Sequence, residues 1–219
     1  MRPIFKGVVM VMLGGLAGLG LAGFLSAQPT GRLSGLDDRV SRFLEEARHS
    51  WSDWNVPYED GKILYSLVLK GHSKNILEIG TSTGHSTVWL AWAASKTGGR
   101  VTTIEIDRKR YEKALVNFKK AGLASYIDAR LADAHLTVPR LEGPYDFVFC
   151  DADKEGYHQY FHDLEGKISP NGCFTAHNVL WSNDPHIRKF LDYVKRAPGF
   201  RTVIEKGSGE GISVSCRGE

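Results

Sequence analysis

Three acidic side chains, each closing a short apolar run, carry the first chemical signal: Glu78 in "LEIGTSTGHS" (77–86), Glu105 in "TIEID" (103–107) and Asp133 in "LADAH" (131–135). Around the first of them, Gly80 and Gly84 are spaced G-x-x-x-G. A dinucleotide site would need G-x-G-x-x-G, whose middle glycine lets backbone approach a pyrophosphate. Thr81 and Ser82 occupy that region instead. An acid at this loop disfavours a phosphate and favours a cation, whereas the helix N-terminus just beyond offers N–H groups to an anion. A ligand with both an ammonium and a carboxylate satisfies both demands, and the amino-acid end of S-adenosylmethionine has them. On that reading Ser86 hydrogen-bonds the carboxylate, Glu105 accepts from both ribose hydroxyls, and Asp133 with Ala134 edges the adenine. Glu105 alone would suit a nicotinamide cofactor equally, so the loop is what discriminates.

A second group of residues suits proton or metal chemistry. Asp151 and Lys154 are three apart, at a strand end and on the next helical turn, so both can face one pocket. In "TAHNVLW" (175–181), His177 and Asn178 sit where another apolar run stops. His158 and His162 have the i, i+4 spacing of metal ligands, but no third ligand is near in sequence, and a solvated helix face is expected. Cys150 precedes Asp151, so strand alternation sends it to the opposite side, into the core. Trp51, Trp54 and Trp181 either wall an aromatic acceptor or pack at core or rim.

These positions need a scaffold, and the pattern around them supplies one. The strands read as "NILEIG", "RVTTIEI", "YIDARLA", "YDFVFCD", "GCFTAHN", "FRTVIEK" and "GISVSCR". Helical periodicity separates the first six, over about 84–96, 109–121, 134–140, 154–166 and 185–196. Ahead of them, Val40, Phe43, Leu44 and Ala47 predict an amphipathic helix over about 37–50. A second helix resumes after Pro57 with Ile63, Leu64, Leu67 and Val68 inward. Strand–helix alternation implies right-handed crossovers and a parallel sheet covered on both faces. "GSGE" between the last two strands is a hairpin connection. The expected fold is α/β: a doubly wound, Rossmann-like sheet of seven strands, six parallel and one antiparallel at the C-terminus.

Composition excludes some classes of function. The chain has 219 residues, enough for one domain, and a net charge of +3 with both signs interspersed. No basic arm or stripe stands out, so nucleic acid is not an expected partner. Three cysteines, Cys150, Cys173 and Cys216, form no C-x-x-C pair, and reduced, packed thiols are expected. The N-terminus differs: residues 7–27 carry no charge and follow Arg2 and Lys6. Their length suits an uncleaved membrane anchor better than a cleaved signal peptide, and both readings stay open. Residues 28–36 read as a linker and 37–219 as the folded domain.

Taken together, "NVPYEDGKIL", "ILEIGTSTGHSTVWLA", "TTIEID", "ADA", "YDFVFCDADKEGYHQYF" and "AHNVLW" resemble the cation-dependent class I O-methyltransferases, the group of the catechol and caffeoyl-CoA enzymes. The resemblance covers about 55–217. It implies a cofactor site lined by Val56, Glu78, Gly80, Thr81, Ser86, Glu105, Ala134 and Asp153. It also implies Asp151 as a metal ligand, Lys154 beside the acceptor oxygen as general base, and Tyr160 facing the substrate.

Related enzymes carry Asp-Asn where this chain has His177-Asn178, both as metal ligands beside the aspartate of "DADK". An imidazole in place of a carboxylate disfavours magnesium and suits manganese or a later transition metal. Two further readings remain: a metal-free site with His177 as base or acceptor partner, and a structural histidine. His177→Asp is expected to raise magnesium-supported activity. The expected function is S-adenosylmethionine-dependent methylation of a hydroxyl on a small, aromatic or catechol-type acceptor. The alternative is a membrane-tethered scaffold with a degenerate methyltransferase fold. The domain is expected to face the cytoplasm, where the methyl donor is made, with export after signal cleavage as the alternative. A homodimer is left open.

Overall fold

The computed structural model describes residues 35–218 apart from 52, 181, 182, 206 and 208. The apolar segment 7–27, the linker up to residue 34 and Trp181 therefore lie outside the described residues. Among the described residues, no helix is long and apolar enough to cross a membrane. In chain order the elements are α1 (Gly35–Ala47), α2 (Tyr58–Lys70), β1 (Asn75–Ile79), α3 (His85–Thr97), β2 (Arg100–Glu105), α4 (Arg108–Ala121), β3 (Ile127–Leu131), α5 (Ala134–Thr137), β4 (Tyr145–Cys150), α6 (Tyr157–Leu164), β5 (Ile168–His177), α7 (Pro185–Val194), β6 (Phe200–Glu205) and β7 (Ile212–Arg217).

The strands form one sheet in the order β3-β2-β1-β4-β5-β7-β6. β1 to β5 are mutually parallel, and β7 runs antiparallel to both β5 and β6. Six strands thus share one direction and the last is reversed, as the sequence predicts. Chain order switches between β1 and β4, the place where such sheets open a crevice beyond their carboxyl ends.

Strand alternation divides the core in two. Ile76, Val101, Phe147 and Phe149 join the helices α1 to α4 on one face. Leu77, Ile79, Ile104, Val148, Phe174 and Ala176 join α6 and α7 on the other. Aspartates start several helices: Asp107 Oδ1 accepts from Arg110 N at 2.9 Å, and Asp184 Oδ1 accepts from His186 N at 2.8 Å.

Two expectations are corrected. β5 begins at Ile168, four residues earlier than "GCFTAHN", because Pro170-Asn171-Gly172 reads as a turn yet forms an irregularity within the strand. Asn171 takes φ 62° there, and the β4–β5 register shifts between Tyr145 and Phe147. The cysteines are not all reduced: Cys173 and Cys216 form a disulfide. They are 43 residues apart in sequence, and the β5–β7 register sets them directly opposite. Cys150 is the free, buried thiol. Burial pushes it well above the usual range.

Candidate active site

At the crevice beyond β1, β2, β4 and β5 lies a cavity of about 820 Å³. Gly80, with φ 97°, ends β1 there. A Cβ on it would stand 2.4 Å from the Asp151 carbonyl, so glycine is what lets the ends of β1 and β4 close up. The loop then turns through Ser82, whose backbone N–H donates to Glu105 Oε2 at 2.7 Å. Glu105 Oε1 accepts from Asp107 N at 2.8 Å. The carboxylate is thereby fixed before any ligand arrives, with Gly80, Ser82, Glu105 and Ile106 along one wall. Asp133, Ala134 and His135 form the adjoining wall, with Asp133 capping α5 through His135 N at 2.9 Å. Asp153 holds this wall to the next: Oδ1 accepts from the Tyr160 hydroxyl at 2.8 Å, and Oδ2 pairs with His135 Nε2 at 3.0 Å.

Four expected cofactor residues sit behind the wall rather than on it. Thr81 is buried, its hydroxyl 2.5 Å from that of Thr103. Ser86 is buried in the first turn of α3. Val56 lends its carbonyl to His85 Nδ1 at 2.8 Å, while its neighbours Asn55 and Pro57 line the cavity. Glu78 is 0% exposed; Oε2 accepts from Thr87 at 2.5 Å and Thr103 at 2.6 Å, and Ser86 lies beside the same carboxylate. Burial raises its carboxyl to about 7, against the hydrogen bonds from Ser86, Thr103 and Thr87 that lower it.

The other end of the cavity holds Asp151, Lys154, His177 and Asn178. Lys154 Nζ donates to Asp151 Oδ1 at 2.9 Å, Tyr157 OH at 2.6 Å and Ala152 O at 3.3 Å. The Tyr157 hydroxyl in turn donates to the His177 carbonyl at 3.2 Å. His177 and Thr175 point toward α2 and α3, because Phe174 and Ala176 alternate to the opposite face. His177 Nε2 meets Asp60 Oδ2 at 2.6 Å, and Nδ1 lies 3.3 Å from Asp151 Oδ2. Burial alone would lower the pKa of the imidazole, but Asp151 and Asp60 outweigh it and lift it to about 9. Burial would likewise raise the Asp151 carboxyl, and His177 and Lys154 hold it below the usual range instead.

These residues fit a divalent cation as a mixed nitrogen and oxygen set. Nδ1 of His177 is buried and faces Asp151 Oδ2 without a well-aligned hydrogen bond. Two donors each about 2.0–2.2 Å from one ion stand about 2.8–3.6 Å apart, a range that includes the Nδ1–Oδ2 separation. Asn178 takes φ 58°, and its Nδ2 donates to Glu210 Oε2 at 3.3 Å, which turns its amide oxygen away from that carboxylate. A cation there would displace the Nδ1 proton. Among the described residues, no group of three or more His, Cys, Asp or Glu side chains is placed to hold a metal.

Other residues fall outside this centre. His158 packs edge-on against Tyr193, 4.5 Å between centroids, and His162 Nδ1 lies 3.2 Å from the Tyr193 hydroxyl. Trp51 stacks on His85 at 4.5 Å, whereas Trp54 is 77% exposed at the cavity wall. Asp60, Ser82, Ile106 and Glu210 belong to the site without having been expected. For Asp60 a signal existed: with Leu64 and Val68 it occupies an i, i+4, i+8 stripe, the inward face of α2.

The chain is similar to known proteins over most of its folded part. The profile described as O-methyltransferase matches residues 38–188. Caffeoyl-CoA O-methyltransferase 2 of Petunia hybrida is 30% identical over 161 residues, covering 68% of this chain and 66% of its own length. Catechol O-methyltransferase of Niastella koreensis is 38% identical over 130 residues, covering 58% of each. The chain thus spans about two thirds or less of the length of these relatives. The structure of an O-methyltransferase from Bacillus cereus in complex with SAH superimposes with a TM-score of 0.70 at 30% identity, covering 86% of this chain and 94% of that one. The chain belongs to the O-methyltransferase family.

Proposed function

We propose that this protein transfers the methyl group of S-adenosylmethionine to a hydroxyl of a small, aromatic, catechol-type acceptor. One observation carries the reading: a single cavity joins the Gly80–Glu105 wall to the Asp151, Lys154, His177 and Asn178 cluster. Glu105 takes the ribose hydroxyls, Glu78 meets the ammonium from behind the loop, and the wall of Asp133 and Ala134 flanks the adenine. Tyr160, tied to Asp153, sets the edge against which the acceptor lies.

Methyl transfer from a sulfonium is an in-line displacement, so the difficulty lies with the acceptor, a phenol with a pKa of about 10. Lys154 Nζ places positive charge beside the acceptor oxygen and favours its ionised form. Its bonds to Asp151, Tyr157 and Ala152 hold it in place. To take the acceptor proton it must first give up one proton to solvent, and with it one of these three bonds, so that a lone pair faces the acceptor. A divalent cation held by Asp151, His177 and Asn178, manganese or a later transition metal rather than magnesium, would add Lewis-acid stabilisation of the same oxygen. The enzyme otherwise aligns two substrates in a walled cavity.

The test is Lys154→Met. It should lower kcat by about 10²–10⁴-fold while leaving the affinity for S-adenosylhomocysteine unchanged. An unchanged kcat would remove Lys154 from the reaction. The scaffold alternative predicts no saturable S-adenosylmethionine binding in calorimetry; the pre-set Glu105 carboxylate favours the enzyme. For compartment we keep a cytoplasmic domain, on the supply of methyl donor. The Cys173–Cys216 bond favours an oxidising compartment, which makes that part of the proposal directly testable.

A further inference from the structure

The group that fixes the imidazole at the acceptor end comes from α2, far from the glycine loop and from "DADK". Asp60 lies in the first turn of α2 and is 0% exposed. Its partner across the cavity floor, His177, is 117 residues away in sequence. The reach is built into the packing. A Cβ on the neighbouring Gly61 would stand 2.1 Å from the Trp89 ring of α3, so glycine there lets the start of α2 press against α3. The helix N-terminus also favours an acid in its first turn. The other carboxylate oxygen, Oδ1, is buried without a partner. Desolvating two charged groups is a poor route to stability, since an apolar pair of similar volume does as well or better. What the pair does supply is orientation. An imidazole has two nitrogens, and the partner of one decides which way the other faces.

We propose that Asp60 is a positioning residue. Its carboxylate anchors the His177 ring through Nε2 and thereby turns Nδ1 toward Asp151, as the nitrogen donor for the cation. The part concerning the cation rests on the reading of Asp151, His177 and Asn178 as its ligands. Asp60 itself touches neither cation nor acceptor. Carboxylates behind a ligating histidine act this way in metal sites generally, and their loss costs about 10–100-fold in metal affinity. Asn at position 60 would still accept a hydrogen bond from Nε2–H, whereas Ala would not.

The experiment has two arms on the full chain, native, Asp60→Asn and Asp60→Ala. The first uses cation-free, ¹⁵N-histidine-labelled protein, with His177 assigned by the signal missing in His177→Gln. The expected result is an exchange-protected His177 Nε2 proton in native protein and in Asp60→Asn, lost in Asp60→Ala. The second titrates Mn²⁺ by electron paramagnetic resonance. Affinity should fall about 10–100-fold in Asp60→Ala and less in Asp60→Asn. S-adenosylhomocysteine affinity, measured alongside, should stay the same in all three and so certifies the fold. An Asp60→Ala protein that keeps the protected proton, or keeps native Mn²⁺ affinity, overturns the inference. A native protein that shows the proton but takes no Mn²⁺ overturns the cation reading, and the proton arm still decides whether Asp60 anchors the ring.

Discussion

Replacing Glu105 tests the proposed cofactor site where its geometry is best defined. Both carboxylate oxygens already accept backbone N–H groups, from Ser82 at 2.7 Å and Asp107 at 2.8 Å. Glu105→Gln makes one of those oxygens an NH₂. Whichever way the amide turns, one backbone N–H then faces a donor. A buried donor left unpaired costs about 1–3 kcal/mol, so the ligand-free protein should already be less stable by that amount. For a chain of this size that is a fall in Tm of about 2–12 °C. The ribose hydroxyls also lose a charged acceptor, worth about 1.5–3 kcal/mol. Affinity for S-adenosylhomocysteine should therefore fall by about 10–150-fold. Glu105→Ala should lose at least as much affinity, with both backbone groups left unpaired. Isothermal titration reads the affinity and scanning calorimetry without ligand reads the loop. Unchanged affinity in both variants would place the ribose elsewhere, whatever happened to Tm.

Four further outcomes are expected. Glu78 has its folded pKa raised to about 7 by burial. An ammonium docking at its carboxylate would lower that value, so S-adenosylhomocysteine binding should release close to one proton near pH 6 and almost none near pH 8. Titrations in buffers of different ionisation enthalpy read this directly, and a release independent of pH would detach Glu78 from the ligand. His177→Asp alone sets a third carboxylate against Asp60 and Asp151, so its gain in magnesium affinity should show fully only with Asp60→Asn added. If the double variant binds magnesium no better than native protein, the ligand assignment of His177 is wrong. Reducing the Cys173–Cys216 bond, which closes 43 residues, should cost up to about 4 kcal/mol by chain entropy. In intact cells a cytoplasmic domain should have both thiols free to alkylate after acid quenching, and their complete protection would place the domain on the oxidising side.

Sequence reading went furthest where the signal is local. Glu78, Gly80 and Glu105 announce themselves because a strand, a turn glycine and an acid fall within a few residues. Asp151 and Lys154 share one strand end and one turn. Val56, Thr81 and Ser86 lie behind the cavity wall rather than on it, since linear spacing does not tell a lining residue from one that braces it. Thr81 and Ser86 brace. What escaped depends on distant partners: Asp60 faces His177 across the core, Glu210 reaches Asn178 from the β6–β7 connection, and Cys173 meets Cys216 only through the β5–β7 register. The early start of β5 was hidden by a Pro-Asn-Gly run that usually ends strands.

In the proposed reaction the two ends of the cavity act together in O-methylation. Its most direct test is methyl transfer from methyl-labelled S-adenosylmethionine to a panel of catechols, hydroxycinnamoyl thioesters and isolated phenols, with product identified by mass. Monomethylation of one oxygen of a vicinal diol is expected, saturable in both substrates and lost in Lys154→Met. If the protein binds S-adenosylhomocysteine yet methylates none of these acceptors, with or without added manganese, the acceptor end has been misread.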